Sequence, residues 1–166
     1  DGIVDVILDG IGEPLRECDI IFLCTPVEYN AQYLTQIRPF LRPGALISDV
    51  GSTKEDIHRV VTSLGMEDVF VGGHPMAGSE RSGFEKTGYE NATDHLLENA
   101  YYIVTPTALS SETDADRIVA VAKLIGSIPI VLDYHEHDRI VAAISHLPHL
   151  IASSLVNLVK DSDTHD

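Results

Sequence analysis

Five short apolar runs, separated by stretches with helical spacing, constrain the fold of this chain more than any other feature of its sequence. Each run is followed by proline, glycine or polar residues, a pattern typical of strands that are buried on both faces of a parallel sheet. Because such strands alternate with helical segments, the sequence predicts an α/β protein with a doubly wound, mostly parallel sheet. The predicted strands are Asp19–Thr25, Ala45–Val50, Val69–Gly73, Tyr101–Thr105 and Ile128–Leu132.

The stretches that follow these runs have the apolar spacing of helices. From His135 onward the sequence predicts a long helix with an apolar stripe, which Pro148 is expected to kink near Ile144. Such a stripe needs a partner surface. Residues 77–99 form a connection too long for an ordinary loop, so we expect it to be functional or partly helical. The other predicted helices are Glu28–Phe40, Glu55–Leu64 and Glu112–Ile125.

The composition argues against several classes of partner. There are 11 basic and 26 acidic residues, and the net charge of -15 would repel nucleic acid and anionic membranes. No uninterrupted apolar run approaches the roughly 18 residues that span a bilayer. The two cysteines, Cys18 and Cys24, are too few for a disulfide scaffold, and no charged-then-apolar leader stands at the amino end. We therefore expect a cytoplasmic protein without nucleic-acid or membrane partners.

Polar and turn-forming residues follow four of the predicted strands. In open parallel sheets, ligands bind at the carboxyl ends of the strands, so these clusters are expected to line one edge. The clusters are Thr25-Pro26, Asp49–Ser52, Gly72–Pro75 and Thr105-Pro106.

Two residues at this edge are candidates for chemistry. His74 stands between glycine and proline, and a histidine suits proton abstraction because its ordinary pKa lies near neutrality. The alternative is a histidine that only stabilises a turn. Ser52 has Glu55 three residues later, which fits a capping box at the start of a helix as well as it fits a catalytic role.

The densest group of titratable residues lies near the carboxyl end. His146 and His149 are three residues apart, but Pro148 stands between them and the spacing matches a zinc site weakly. We therefore predict no metal site, and we expect these histidines to contact substrate, cap a helix or lie in solvent. His135, His137, Glu136 and Asp138 complete the group.

Four strings of residues, in order and spacing, resemble successive motifs of the prephenate dehydrogenases. The strings are DVGSTK at Asp49–Lys54, FVGGHPMAGSE at Phe70–Glu80, ENAYYIVTPT at Glu98–Thr107 and HDRIVAAISHLPH at His137–His149. The resemblance implies a Rossmann-like dinucleotide-binding domain over residues 1–133 and the first helix of an all-α dimerisation domain over residues 134–166. It also implies oxidative decarboxylation of prephenate to 4-hydroxyphenylpyruvate in tyrosine biosynthesis, with NAD as the usual cofactor and NADP as an alternative. Arogenate is the alternative substrate.

The same resemblance assigns roles to individual residues. His74 would take the proton of the substrate's ring hydroxyl as hydride leaves the same carbon, and Ser52 would orient that histidine and the substrate. The implied substrate-binding residues are Ser79, Glu80, His137, Ser145, His146 and His149. The implied cofactor-binding residues are Thr25, Pro26, Val27, Asp49 and Gly51.

Two departures from the family pattern lead to further expectations. No Gly-x-Gly-x-x-Gly follows a strand in these 166 residues, so we expect this chain alone to bind NAD poorly. The family continues beyond the helix that begins near His135, so we expect a homodimer formed through that helix. The competing hypothesis is a non-catalytic Rossmann-like remnant that only associates with a partner through the same helix.

Overall fold

The computed structural model describes residues 4–78, 93 and 95–162, and five strands lie within these ranges. Each strand end falls within two residues of its predicted position, because every strand is a short, bounded apolar run. The strands are β1 (Ile20–Leu23), β2 (Leu46–Asp49), β3 (Val71–Pro75), β4 (Tyr101–Pro106) and β5 (Ile128–Val131).

The helices also follow the prediction. Helix α1 (Asn30–Ile37) is flanked by 3-10 turns at Val27–Tyr29 and Arg38–Phe40, and together they occupy the predicted helical stretch. Helix α2 (Glu55–Leu64) ends at Gly65, which adopts a left-handed conformation with φ 60° that glycine takes without steric cost. The remaining helices are α3 (Glu112–Leu124), α4 (Tyr134–Val141) and α5 (Leu147–Ser162), and further 3-10 turns lie at Glu13–Glu17 and Glu67–Val69.

The strands are mostly parallel, with one antiparallel pair. Strands β1 and β2 pair in parallel, a parallel bridge between Ile47 and Phe70 links β2 to the start of β3, and β4 and β5 pair in parallel. Strands β3 and β4 are antiparallel neighbours, with Thr105 opposite Gly72. The predicted α/β class is therefore confirmed. The expectation that Thr105-Pro106 shares an edge with His74 is wrong, because β4 runs against β3 and its carboxyl end lies beside the start of β3.

Two apolar clusters make up the core. The first joins α1 and α2 to β1 and β2, and the second joins α3 to β3 and β4. Helix α2 contributes Ile57 and Val61, four residues apart on one face, as the sequence periodicity requires. The buried members of the first cluster are Leu23, Leu34, Ile37, Ile47, Ile57, Val61, Met66 and Phe70, and those of the second are Val71, Tyr102, Val104, Ile118 and Ala122.

Helices α4 and α5 are joined by a π-helical turn, Ala142–His146, directly before Pro148. Proline has no backbone donor and its ring clashes with the carbonyl four residues earlier, which here is Ile144. A π-turn is a common way to absorb such a clash. The π-turn lies where the sequence predicts a kink, around Ile144.

The segment Tyr134–Lys160 within this continuous helix has 27 residues and is apolar enough, by length and composition alone, to cross a membrane. Little of it is covered by the rest of the described chain. Polar residues are spread along this segment, so it contains no uninterrupted apolar run of that length. A helix that packs against another protein surface meets the same criteria.

Candidate functional site

Asp49, the last residue of β2, joins the carboxyl ends of two neighbouring strands. Its side chain is fully buried, and its carboxylate accepts hydrogen bonds from Gly51 N–H (2.9 Å) and Gly73 N–H (3.2 Å). The Lys54 ammonium completes the cluster as an ion pair with Asp49. One carboxylate thus fixes the loop after β2 and the residue that precedes His74.

Close backbone approach explains the glycines in this cluster. A Cβ atom at Gly73 would lie 2.6 Å from the Asp49 carbonyl oxygen and 2.7 Å from the Tyr102 hydroxyl. A Cβ atom at Gly51 would lie 2.8 Å from Cγ1 of Val27. Larger residues would therefore push the strand ends apart.

Lys54 is a charged side chain with no exposed surface. Burial lowers the pKa of its ammonium, while the charge of Asp49 and the hydrogen bond to it act in the opposite direction. Neither the Lys54 ammonium nor the Asp49 carboxylate would be stable as a buried charge without the other.

His74 lies on β3 at the centre of the site and is 8% exposed. Its Nδ1 is 2.8 Å from Nε2 of His137, and the two rings stand nearly perpendicular, at 76°. The pKa of His74 is lowered to about 4, first by burial and then by the nearby His137 and Lys54. His74 is therefore neutral at physiological pH and able to accept a proton.

His137 and Asp138 continue this chain of contacts. Nδ1 of His137 lies 2.7 Å from Oδ1 of Asp138, so both ring nitrogens of His137 are engaged. The Asp138 carboxylate also accepts hydrogen bonds from the backbone N–H groups of Lys54 and Glu55, each at 2.8 Å. Although burial alone would raise it, the hydrogen bonds from Glu55, Lys54 and His137 hold the pKa of Asp138 below its ordinary value.

Ser52 does not cap α2. The helix begins at Glu55, its N-cap is Lys54 without a side-chain cap, and the carboxylate of Asp138 occupies the capping position instead. The predicted capping box is therefore wrong, because the helix starts two residues later than that motif requires. Ser52 is exposed and makes no hydrogen bond to another described residue.

The remaining implied substrate residues are placed differently from one another. Ser145 and His146 lie on the π-turn and His149 lies in the first turn of α5, and all three are exposed. A positive charge on His146 is close enough to contribute to the low pKa of His74. Ser79 and Glu80 lie outside the described residues.

The implied cofactor residues converge beside this cluster, at the carboxyl ends of β1 and β2. Thr25 Oγ1 donates to Asn30 Oδ1 (3.2 Å), which ties the turn after β1 to the start of α1. Cγ1 of Val27 lies 2.8 Å from the position that a Cβ atom of Gly51 would occupy. Val27 also lines a cavity of about 340 Å³ that extends to Thr53 and Ile57. This cavity lies between the start of α1 and α2, and Val27 is the one implied cofactor residue among those that line it.

A third buried histidine, His58, anchors α4 to the sheet. The His58 ring stacks on Tyr134 with centroids 4.2 Å apart, and its Nε2 is 3.1 Å from Oγ1 of Thr105. Burial lowers the pKa of His58 to about 4, with Lys54 as a further cause. This contact holds the start of α4 against α2, and so helps to hold His137 near His74.

Several of these groups were missed by sequence reasoning. Asp138 was noted only as part of a titratable group, and the pairing of Asp49 with Lys54 and of His58 with Tyr134 was not anticipated. The adjacent His137-Asp138 pair was the available signal, since an aspartate commonly orients a histidine. Within residues 4–78, 93 and 95–162, no group of three or more histidine, cysteine or acidic side chains is arranged to hold a metal ion.

Comparison with known proteins gives matches over nearly the whole chain. The family model described as "Prephenate dehydrogenase, nucleotide-binding domain" matches residues 2–131, and the one described as "Prephenate dehydrogenase, dimerization domain" matches residues 133–166. The prephenate dehydrogenase of Lactococcus lactis subsp. cremoris is 39% identical over 144 residues, which are 85% of this chain and 37% of that protein.

Solved structures agree. A crystal structure of Synechocystis arogenate dehydrogenase superposes with a TM-score of 0.78 at 32% identity, covering 88% of this chain and 50% of that one. The Aquifex aeolicus prephenate dehydrogenase in complex with hydroxyphenyl propionate and NAD+ also has a TM-score of 0.78, at 29% identity, covering 88% of this chain and 49% of that one. The chain thus spans about two fifths of the Lactococcus protein and about half of each structure.

Proposed function

Because this chain belongs to the prephenate dehydrogenase family, we propose that it carries the proton-accepting part of an NAD-dependent oxidative decarboxylation of prephenate to 4-hydroxyphenylpyruvate. The observation that carries the proposal is His74. It is a buried histidine at the carboxyl end of β3, neutral at physiological pH, with its Nδ1 held by His137.

His74 acts as the general base. With Nδ1 engaged, Nε2 is the nitrogen left to accept the proton of the ring hydroxyl, and none of the described residues donates to it. NAD, when bound, supplies the acceptor for the hydride that leaves the same carbon. The proton transfer leaves an imidazolium on His74. Loss of the substrate carboxylate as carbon dioxide leaves its bonding electron pair on the ring as a phenolate, which takes the proton back from His74 to give the hydroxyl of the product.

Substrate binding involves residues on both sides of His74. Ser145, His146 and His149 are exposed on the π-turn and α5, on the same continuous helix as His137, where their side chains are free to contact a substrate. Ser52 is exposed on the loop after β2 and orients the substrate hydroxyl near His74. Ser79 and Glu80, from the segment after β3, complete the predicted set.

The cofactor lies along the carboxyl ends of β1 and β2. This edge is lined by Thr25, Pro26, Val27 and Gly51. The Asp49 carboxylate stabilises it by accepting a hydrogen bond from the Gly51 amide. The family's nucleotide-binding domain and the Aquifex structure with NAD+ support NAD as the cofactor.

The helical segment forms a homodimer in the cytoplasm. The match to the dimerisation domain and the exposed apolar side chains of α5 support this assembly. The two family matches meet near residue 132, which supports a division into a nucleotide-binding part, residues 1–133, and a helical part, residues 134–166. The free thiols of Cys18 and Cys24 fit a reducing compartment.

Arogenate is the second candidate substrate, because the Synechocystis arogenate dehydrogenase superposes as well as the prephenate dehydrogenases do. The two substrates differ in a side-chain amino group, which lies away from the ring hydroxyl that His74 contacts. The chemistry assigned to His74 is therefore the same for both.

The test is a spectrophotometric assay of the complete gene product for NADH formation, with prephenate and with arogenate in turn. We expect turnover with one of them and a loss of about 10²–10⁴ in kcat for His74→Ala. The matched control is His135→Ala, which removes an exposed histidine and should retain parental activity. A His74→Ala variant with parental turnover would exclude His74 as the base. Absence of turnover with both substrates would favour the non-catalytic, association-only role.

A further inference from the structure

We propose that Asp138 is a positioning residue that sets the tautomers of both His137 and His74, and thereby leaves Nε2 of His74 free to act as the base. This inference rests on the proposed function and deepens it. It concerns a residue that makes no direct contact with the proposed reacting atoms.

The first step is the state of Asp138. Its carboxylate accepts from two backbone N–H groups, those of Lys54 and Glu55, and a backbone N–H can only donate. Both carboxylate oxygens are therefore acceptors, Oδ1 towards Lys54 and Oδ2 towards Glu55. A carboxylate held in this way is ionised and has no proton to give.

The second step fixes His137. Since Oδ1 of Asp138 accepts, Nδ1 of His137, 2.7 Å away, must carry the hydrogen. We include in the proposal that His137 is neutral, so that its other nitrogen is an acceptor. Nε2 of His137 thus presents a lone pair to His74.

The third step fixes His74. Nδ1 of His74 lies 2.8 Å from that lone pair and must donate to it, so the hydrogen of neutral His74 is on Nδ1. Nε2 of His74 keeps its lone pair, which the proposed proton transfer requires. The opposite arrangement would place the hydrogen on Nε2 of His74, and that nitrogen could then not accept a proton.

The geometry explains why one carboxylate has this influence. Asp138 lies on α4, and its partners at the start of α2 are 84 and 83 residues earlier in the chain. Two backbone amides and a buried imidazole hold the carboxylate from three directions, and the side chain is only 21% exposed. Its orientation is therefore set by the packing of α4 against α2, and the tautomers follow from it.

The experiment reads the tautomers directly. In the complete gene product labelled with 15N-histidine, without substrate and near neutral pH, long-range 1H–15N correlation spectra distinguish Nδ1–H from Nε2–H for each ring. We expect Nδ1–H for both His74 and His137 in the parent protein. Nε2–H on His74, or a His137 protonated on both nitrogens, would overturn the proposal without any activity measurement.

Two variants test whether Asp138 sets these tautomers. In Asp138→Ala the acceptor is lost, so His74 should become a mixture of tautomers and kcat should fall by at least about tenfold, with a smaller change in KM. Asp138→Asn keeps an acceptor oxygen, and it should restore the Nδ1–H form of both rings and part of kcat. If Asp138→Ala keeps the parental tautomers, or keeps kcat within about threefold, Asp138 has no positioning role.

The matched control is Asp114→Ala, which removes a side-chain cap from α3. It should lower stability as capping losses do and leave the histidine spectra and kcat unchanged. If Asp114→Ala altered the tautomers as Asp138→Ala does, the effect of Asp138→Ala would be explained by general destabilisation, and the proposal would be overturned. Failure of the proposed function would appear differently, as a parent protein with the expected tautomers and no turnover of either substrate.

Discussion

Nδ1 of His74 and Nε2 of His137 lie 2.8 Å apart, although 63 residues separate them in the chain. One histidine ends a run of glycine on β3 and the other lies in α4, and both are almost fully buried. Two ring nitrogens at this distance share one hydrogen, so one ring donates and the other accepts. The partners of each ring therefore decide which nitrogen carries the hydrogen.

The pH dependence of activity should reflect the low pKa of His74. That pKa is lowered to about 4 by burial first and then by His137, Lys54 and His146, with Asp138 opposing them. Because the neutral form is active, kcat/KM should stay constant from neutral pH down to about pH 5 and fall with an apparent pKa of about 4. A pH–rate profile with an acid limb at the ordinary value near 6.5 would contradict this.

Stability should also depend on pH through His58 and His74. Both pKa values are lowered to about 4 in the folded state, so between pH 6.5 and 4 the unfolded chain binds more protons than the folded chain. The free energy of unfolding should therefore fall as the pH is lowered through this window, by up to about 3 kcal/mol for each histidine. Urea unfolding at several pH values measures it.

The variant His58→Phe tests how much His58 contributes to the pH dependence of the free energy of unfolding. Phenylalanine keeps a ring against Tyr134 but does not titrate, so the pH dependence of unfolding should weaken, while the control His149→Ala, at an exposed position on α5, leaves it unchanged. Equal pH dependence in the parent and in His58→Phe would show that His58 does not contribute.

Removal of the Lys54 ammonium should destabilise the protein. Lys54→Met leaves the carboxylate of Asp49 buried without its cation, and breaking a buried pair in this way typically costs about 3–5 kcal/mol. Lys123→Met, at an exposed position on α3, is the control and should change stability by about 0.5 kcal/mol or less. Urea midpoints that fall equally in both variants would argue against a structural role for the pair.

A side chain at Gly73 should disturb both the fold and the site. In Gly73→Ala the new Cβ meets the Asp49 carbonyl at 2.6 Å, so β2 and β3 must separate, at a cost of about 1–3 kcal/mol. Because Gly73 precedes His74, kcat should also fall. Gly10→Ala is the control, since no described atom lies within 4 Å of its Cβ position. Parental stability and kcat in Gly73→Ala would refute the close approach.

The apolar face of α5 should be required for association. Leu155 is 57% exposed, and Leu155→Glu would place a charge in the proposed dimer interface. Light scattering after size-exclusion chromatography should report a dimer for the parent and a monomer for the variant. Leu109→Glu, at a residue that is 64% exposed in the turn after β4, should remain a dimer. A Leu155→Glu dimer would locate the interface elsewhere.

Much of the fold could be predicted because its signals are local. Strand β4 is a bounded apolar run, and helix α2 has Ile57 and Val61 four residues apart, so the type of each element follows from a few neighbouring residues. The direction of β4 relative to β3 could not be predicted in this way, since the pattern of a buried strand is the same in both directions. The capping box predicted at Ser52 was wrong, because the cap of α2 comes from Asp138, which is distant in the sequence, rather than from a nearby side chain.

The sequence by itself determined the α/β class and the positions of the strands and helices, and the family resemblance singled out His74. Only the tertiary structure decided the surroundings of that histidine: its burial, its contact with His137, and the hydrogen bonds from Asp138 to His137 and to the start of α2. The physical reason is the distance along the chain over which each interaction acts. Apolar periodicity is repeated over a few residues, whereas these hydrogen bonds join residues 63 and 84 positions apart and exist only once α4 has packed against the sheet.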